Sequence, residues 1–241
     1  MWLAGSEVSD LYIGTRATLL AQGADVLQAR SHAGFDDALV GVASLAEQIK
    51  PKAALRVWLS GGLCRPFLLP AMPELKDGAE RRRAALAIAR QGCALDGELE
   101  LRMVKPASTL AQIGMALEKR VLDAILQQLA GLPLQMLAPW WMNALNCLLK
   151  IRPELQCIGV QDCDALTVLR GRGGQFEQVS TLAPSYDIES AKAGYRRMQF
   201  SSSLAPDRVA PLLVLRANRS GSDVSGLPTG LALSSFVSME R

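Results

Sequence analysis

The residues of this chain that could do chemistry are few, and most fall in two glycine-bearing stretches and one acidic turn. Leu59-Ser60-Gly61-Gly62-Leu63 has the composition of a loop whose backbone amides could hold a phosphate. That geometry needs a helix to start after the glycines, whereas the residues that follow read as a strand, and no GxxxxGK[ST] loop occurs anywhere. Gly61-Gly62 between two apolar runs is therefore expected to be a hairpin turn, and Gly171-Arg172-Gly173-Gly174 takes the same reading. Asp162 and Asp164 stand in a turn where two carboxylates could hold a cation, but nothing around them completes a calcium loop, so solvated side chains are expected.

The single histidine, His32, would have to serve every Ser-His-Asp or Cys-His arrangement, and its neighbours Asp36 and Asp37 fit a strand end followed by a helix cap. Five cysteines (Cys64, Cys93, Cys147, Cys157 and Cys163) are an odd number without a CxxC pair, and read as reduced thiols. Cys157 and Cys163 would need distant ligands to hold a metal, so no metal site is expected. Cys163 itself is expected in a turn that tolerates serine. Arg81-Arg82-Arg83 with Arg90 reads as a solvated helix face. Trp140 and Trp141 point about 100° apart on a helix, so one narrow apolar stripe does not readily bury both. One ring at a lobe boundary or a partner interface is expected, with core packing of both rings as the alternative, and both residues are candidates for partner binding.

Composition narrows the classes. The 241 residues carry 26 Lys+Arg and 23 Asp+Glu, a net charge of +3, and 5% are aromatic, which gives nucleic acid neither a basic field nor stacking platforms. With 49% hydrophobic and 20% charged residues, the chain can bury the core of one large domain or two modest lobes. The apolar runs at 53–59 and 129–137 fall far short of the ~18 uninterrupted residues of a membrane span. Residues 1–10 carry two acids and no base, the wrong order for an export signal, and a cytoplasmic location is expected.

The elements that must position these residues follow from periodicity. Three short apolar runs at 11–15, 17–22 and 26–31, broken by Gly14 and by Gly23-Ala24-Asp25, predict a strand meander. Helical spacing over 35–50, with Asp36 and Asp37 in the first turn, predicts an amphipathic helix. Runs 54–60 and 63–69 predict two strands joined tightly. A smaller module at 73–106 reads as helix then strand, 110–129 as a helix ending at Gly131, 134–137 as a strand, and 139–150 as a helix. Two hairpins in series are predicted over 155–182, then a helix over 188–200, a strand at 211–215 and a Gly/Ser-rich tail. The order, a meander and then α/β elements in each half, suggests a duplicated architecture.

Over about residues 11–182 the order of segments resembles the actin-like cytoplasmic proteins of type IV pilus and type II secretion assembly, the PilM, MshI and GspL group. Leu11-Tyr12-Ile13-Gly14-Thr15 looks like the first phosphate-loop strand, the stretch 55–70 like a strand pair ending in proline, and 75–91 like the helix opening the small subdomain. The stretch 121–149 is similar to the helix, strand and helix closing the first lobe, and 158–182 to the start of the second. The resemblance implies an α/β, actin-like (ribonuclease H-like) two-lobe fold with a small inserted subdomain and a reduced second lobe. It places the first lobe at 1–153 with the insert at about 71–107, the second lobe at 154–218 and a flexible tail at 219–241. It also implies that Gly14 and Thr15 of the first loop, with Asp162 and Asp164 of the second, stand where phosphates would bind. Against the family pattern, Asp10 lies too early for the loop carboxylate, and the two aspartates of the second loop would repel a triphosphate. No cofactor is therefore expected, ATP being disfavoured. The implied function is a non-catalytic scaffold on the cytoplasmic face of the inner membrane that binds the tail of a membrane-anchored, PilN-like protein. Neither nucleic acid nor direct membrane insertion is implied, and self-association stays open. A small ATPase or phosphotransferase of the same superfamily is the alternative.

Overall fold

The alternating apolar residues of the first thirty positions build the predicted meander: β1 (Val8–Ile13), β2 (Ala17–Gln22) and β3 (Asp25–Ser31) pair antiparallel in sequence order. The structure, a computed structural model, describes residues 8–22, 25–51, 53–75, 77–103, 110–151, 157–172, 175–182, 213–216 and 236–238. Helix α1 (Phe35–Ala46) follows, with Asp36 and Asp37 in its first turn as its dipole requires, and the Asp37 carboxylate accepts from the Ala33 amide at 3.0 Å. Strands β4 (Ala54–Leu59) and β8 (Leu134–Pro139) then add parallel to β1, giving a five-stranded sheet in the order β3-β2-β1-β4-β8. Leu11, Ile13, Val57 and Leu59 of this sheet pack under α1 and under α3 (Lys119–Gln128) to form the core of the first lobe.

The second half repeats the plan. Strands β9 (Cys157–Gln161), β10 (Leu166–Arg172) and β11 (Gln175–Leu182) form the two predicted hairpins, and β12 (Leu213–Arg216) adds parallel to β9. The order β11-β10-β9-β12 copies the first sheet's meander and parallel addition. Strand β13 (Phe236–Ser238) lies within the stretch expected as a flexible tail and pairs antiparallel with β12. The helix expected over 188–200 lies outside the described residues.

The small subdomain is a three-stranded antiparallel sheet, β5-β7-β6, made of β5 (Cys64–Leu69), β6 (Leu99–Met103) and β7 (Gln112–Glu118) and covered by α2 (Gly78–Cys93). Its sheet thus draws on strands that flank 71–107 as well as on that stretch. Asp77 caps the start of α2 by accepting from the Ala79 amide at 3.1 Å, and Arg65 donates to the carbonyls of Cys93 and Ala94 at its end, at 2.5 and 3.0 Å.

Two expectations fail here. The helix predicted from residue 110 starts only at Lys119, because 112–118 is strand β7. Leu110, Ile113 and Leu117 fit helical steps, but Leu117 packs into the first-lobe core and Ala116 into the subdomain core, so neighbouring side chains feed opposite faces. Gly61-Gly62 is not a hairpin, since β4 belongs to the large sheet and β5 to the small one.

Gly114 sits opposite Phe67 in the β5-β7 pairing, and a Cβ there would meet the phenyl ring, with Cε1 at 2.6 Å. Gly114→Ala is therefore expected to destabilise the fold by about 1–3 kcal/mol through overpacking. Urea unfolding checks this, and a change below a few tenths would show the ring free to move.

Candidate functional site

The turn between β1 and β2 and the turn between β9 and β10 face each other between the lobes. The first closes when the Gly14 amide donates to the Ala17 carbonyl at 2.9 Å, which leaves the amides of Thr15 and Arg16 pointing outward. Both are taken up by one side chain of the other lobe: Thr15 N donates to Asp164 Oδ2 at 2.6 Å and Arg16 N to Asp164 Oδ1 at 3.2 Å. The Ser60 hydroxyl, at the end of β4, donates to the same Oδ2 at 2.5 Å. Beside it, the Gly61 amide donates to Asp162 Oδ2 at 2.7 Å, while Asp162 Oδ1 accepts from the amides of Asp164 and Ala165, both at 2.9 Å. The last two bonds form an Asx turn that fixes the acidic loop's shape.

Gly14, Thr15, Asp162 and Asp164, the four loop positions singled out in the sequence, therefore do come together. They meet each other. Asp162 receives three backbone amides, and Asp164 receives two amides, the Ser60 hydroxyl and, at 3.4 Å, the Cys163 thiol; four of these seven donors come from the first lobe. The expectation of solvated carboxylates is overturned at Asp162, only 3% exposed. Burial, with Asp164 close by, pushes its carboxyl up to about 7, although three backbone amides favour the charged form. The Tyr12 hydroxyl lies 3.0 Å from Cys163 Sγ, and burial first, then the Asp162 charge, raises the phenol well above its ordinary value. Cys163 lies in the turn, as expected, but buried, and burial also raises its thiol. Cys64, Cys93 and Cys163 are free and buried thiols, and burial raises Cys64 to about 12 and Cys93 to about 11. Such thiols are poor nucleophiles and poor ligands.

Other candidates are absorbed by packing. Asp10 is held by Arg56, with Nε at 2.8 Å and Nη2 at 2.5 Å, and by Trp58 Nε1 at 2.8 Å, so it does not reach the turn. His32 Nε2 lies 2.8 Å from Thr18 Oγ1 and Nδ1 lies 3.6 Å from Asp37, the order of a catalytic triad. Thr18 is wholly buried, however, and a Cβ at Gly41 would lie 2.8 Å from His32 Nε2, so the corner is closed packing with no room for substrate. Burial lowers the His32 pKa in spite of Asp37. Arg82 of the basic helix face pairs with Glu100 at 3.5 Å. Among the described residues no group of three or more His, Cys, Asp or Glu side chains could hold a metal.

Trp140 and Trp141 lie at a lobe boundary, one of the places expected for them, but neither edges an open surface where a partner could reach it: they are 8% and 0% exposed. Trp141 Nε1 donates to the Cys64 carbonyl at 2.9 Å, and both rings join Tyr12, Leu19, Ile158, Val160 and Leu169 in a core shared by the two lobes. A lobe interface buries two faces of α4 (Trp140–Ile151) at once, which a single stripe does not.

The open apolar surface lies just before them in the chain. A groove of about 470 Å³ runs between α3, β7 and the edge strand β8, lined by Met115, Leu122, Leu126, Leu134 and Leu137, with Glu100 and Arg102 also on its wall. Leu126 is 40% exposed.

Two meander-led sheets of matching strand order, facing each other through their first hairpins, are the arrangement found in solved structures of one fold. The cytoplasmic domain of EpsL, an inner membrane component of the type II secretion system of Vibrio cholerae, matches with a TM-score of 0.52 at 17% identity, covering 94% of this chain and 92% of that one. A Bacteroides thetaiotaomicron protein of actin-like ATPase fold and unknown function matches at 0.53 and 10% identity, covering 81% and 77%. The chain has an actin-like fold. A PilM-PilN type IV pilus biogenesis complex matches at 0.47 and 18% identity, covering 83% and 66%. No family model matches the sequence, and no curated protein does. The two turns are the first hairpins of the two lobes, the positions at which the resemblance drawn from the sequence implies phosphate binding. The residues present here do not fit that group: the donors that would face a phosphate are spent on Asp162 and Asp164, and a triphosphate would meet two carboxylates. Sequence reasoning missed Ser60, Arg16 and Tyr12 at this site. Ser60 had one signal, its place before two glycines at the end of a strand.

Proposed function

We propose that this chain is a non-catalytic scaffold of an assembly platform of the type II secretion or type IV pilus kind. In this reading it sits on the cytoplasmic face of the inner membrane and binds the tail of a membrane-anchored, PilN-like protein. The observation that carries the reading is the open apolar groove between α3, β7 and β8, beside a cleft that is already filled. A tail entering that groove would find Leu122, Leu126 and Leu137 as anchors and, at β8, a strand edge that pairs with nothing among the described residues. The structural likeness to the cytoplasmic domain of an inner membrane secretion component supports the setting. No helix among the described residues is long and apolar enough to cross a membrane. With a net charge of +3, direct lipid attraction is weak, at about 1 kcal/mol per well-placed cation, which favours the proposed docking to a protein over binding of this domain to lipid.

Fractionation tests the reading. The chain is expected to sediment with membranes only when its anchored partner is present, and Leu126→Asp is expected to weaken that association at least about tenfold while leaving the fold intact. Association that persists without the partner and dissolves in moderate salt would assign the anchoring to the basic face at Arg81–Arg83 instead. The ATPase alternative is tested by calorimetry, in which no saturable Mg·ATP binding tighter than about 10 μM, roughly −7 kcal/mol, is expected.

A further inference from the structure

The first-lobe cradle is built as an anion site. Two successive amides, at Thr15 and Arg16, a hydroxyl at Ser60 and a third amide at Gly61 converge from two separate loops, and three of these four donors meet on one carboxylate. Convergent amides and a hydroxyl of this kind favour a tetrahedral or planar oxyanion. The glycines around it are cut to the shape of the incoming turn. A Cβ at Gly14 would lie 2.8 Å from both Asp164 Oδ2 and Cys163 Sγ, one at Gly62 would lie 2.7 Å from Asp164 Cβ, and one at Gly61 would lie 2.7 Å from Thr167 Oγ1. Thr167 is wholly buried and its hydroxyl has no hydrogen-bond partner among the described residues, so a further polar group stands at the cradle.

We propose that the cradle is an oxyanion site whose resident ligand is the chain's own Asp164 carboxylate, so that the β9-β10 turn locks the two lobes together and excludes an external phosphate. The lock is independent of partner docking: a chain that bound no membrane protein would still show it. It also gives the glycines a reason that catalysis does not require, since they admit a side chain of the second lobe.

Amide hydrogen exchange on the full chain tests it, with inorganic phosphate and Mg·ATP as separate probes. In Asp164→Ala the Thr15 and Arg16 amides are expected to exchange at least about tenfold faster than in the wild type. Millimolar phosphate is expected to slow them again in the variant and to leave the wild type unchanged. Mg·ATP is expected to protect neither amide in the wild type. Unchanged exchange in the variant, phosphate without effect on the vacated cradle, or protection of the wild type by either probe would overturn the proposal. If Asp164→Ala loses protection throughout, including the β6-β7 pairing, Asp164→Asn decides. Its one oxygen can serve the Thr15 and Ser60 side while its Nδ2 faces Arg16, so faster exchange at Arg16 with Thr15 retained is expected, and no change at either position would sink the lock.

Discussion

Replacing Trp141 by alanine is expected to destabilise the protein by about 3–5 kcal/mol, a large part of the roughly 5–15 kcal/mol that holds a domain folded. The indole is fully buried and fills the core in which Tyr12, Ala17 and Leu19 of the first lobe meet Ile158, Val160 and Leu169 of the second. Truncation opens a cavity there and leaves the Cys64 carbonyl without the Nε1 donor now at 2.9 Å. Trp141→Phe keeps a six-membered ring but loses the donor and the volume of the pyrrole ring, so a smaller cost of about 1–3 kcal/mol is expected. Chemical denaturation followed by circular dichroism separates the two. A loss below about 1 kcal/mol for Trp141→Ala would mean that the lobes do not share this core.

The second large effect is a pH dependence set by Asp162. Its carboxyl titrates at about 7 in the folded protein, against 3.8 for the ordinary group, because burial disfavours the charge. The folded state thus holds a proton that the unfolded chain releases between those values, and stability falls as pH rises from about 4 to about 7, then levels off. At about 1.4 kcal/mol per unit the full span is on the order of 4 kcal/mol. Other carboxylates titrate in the same window, so the measurable quantity is the difference between wild type and Asp162→Asn, which cannot ionise. That difference is expected to shift steadily against the wild type between pH 4 and 7. A flat difference across the window would show that Asp162 stays charged in the fold.

Local pattern alone determined much of this molecule. The apolar runs of the first thirty residues became β1, β2 and β3, the helical spacing with two leading aspartates became α1, and the runs before and after the expected turn became β10 and β11, paired antiparallel up to Arg172 and Gln175. Each depends on contacts only a few residues apart, where periodicity and turn chemistry act directly. The order of those elements was also enough to point to an actin-like fold. Strand β7 was not legible, because its helical spacing is a coincidence that only pairing with β5 and β6 on either side reveals. Trp140 and Trp141 pointed to either a lobe boundary or a partner interface, and only the docking of the lobes decided between them: one helix considered alone cannot bury both faces, whereas a helix between two lobes can.

The site shows the limit most clearly. Thr15 and Asp164 lie 149 positions apart, Gly61 and Asp162 lie 101, and no local signal links them. An aspartate pair in a turn reads as solvated because burying a carboxylate is costly, and here donors from the other lobe join those of the loop itself to offset that cost. Residue types and order could therefore say which loops exist and that glycine, serine and aspartate fill them. Only the docking of the two lobes decided that the aspartates of one loop occupy the cradle of the other, because a cradle's occupant is set by which surfaces meet in three dimensions.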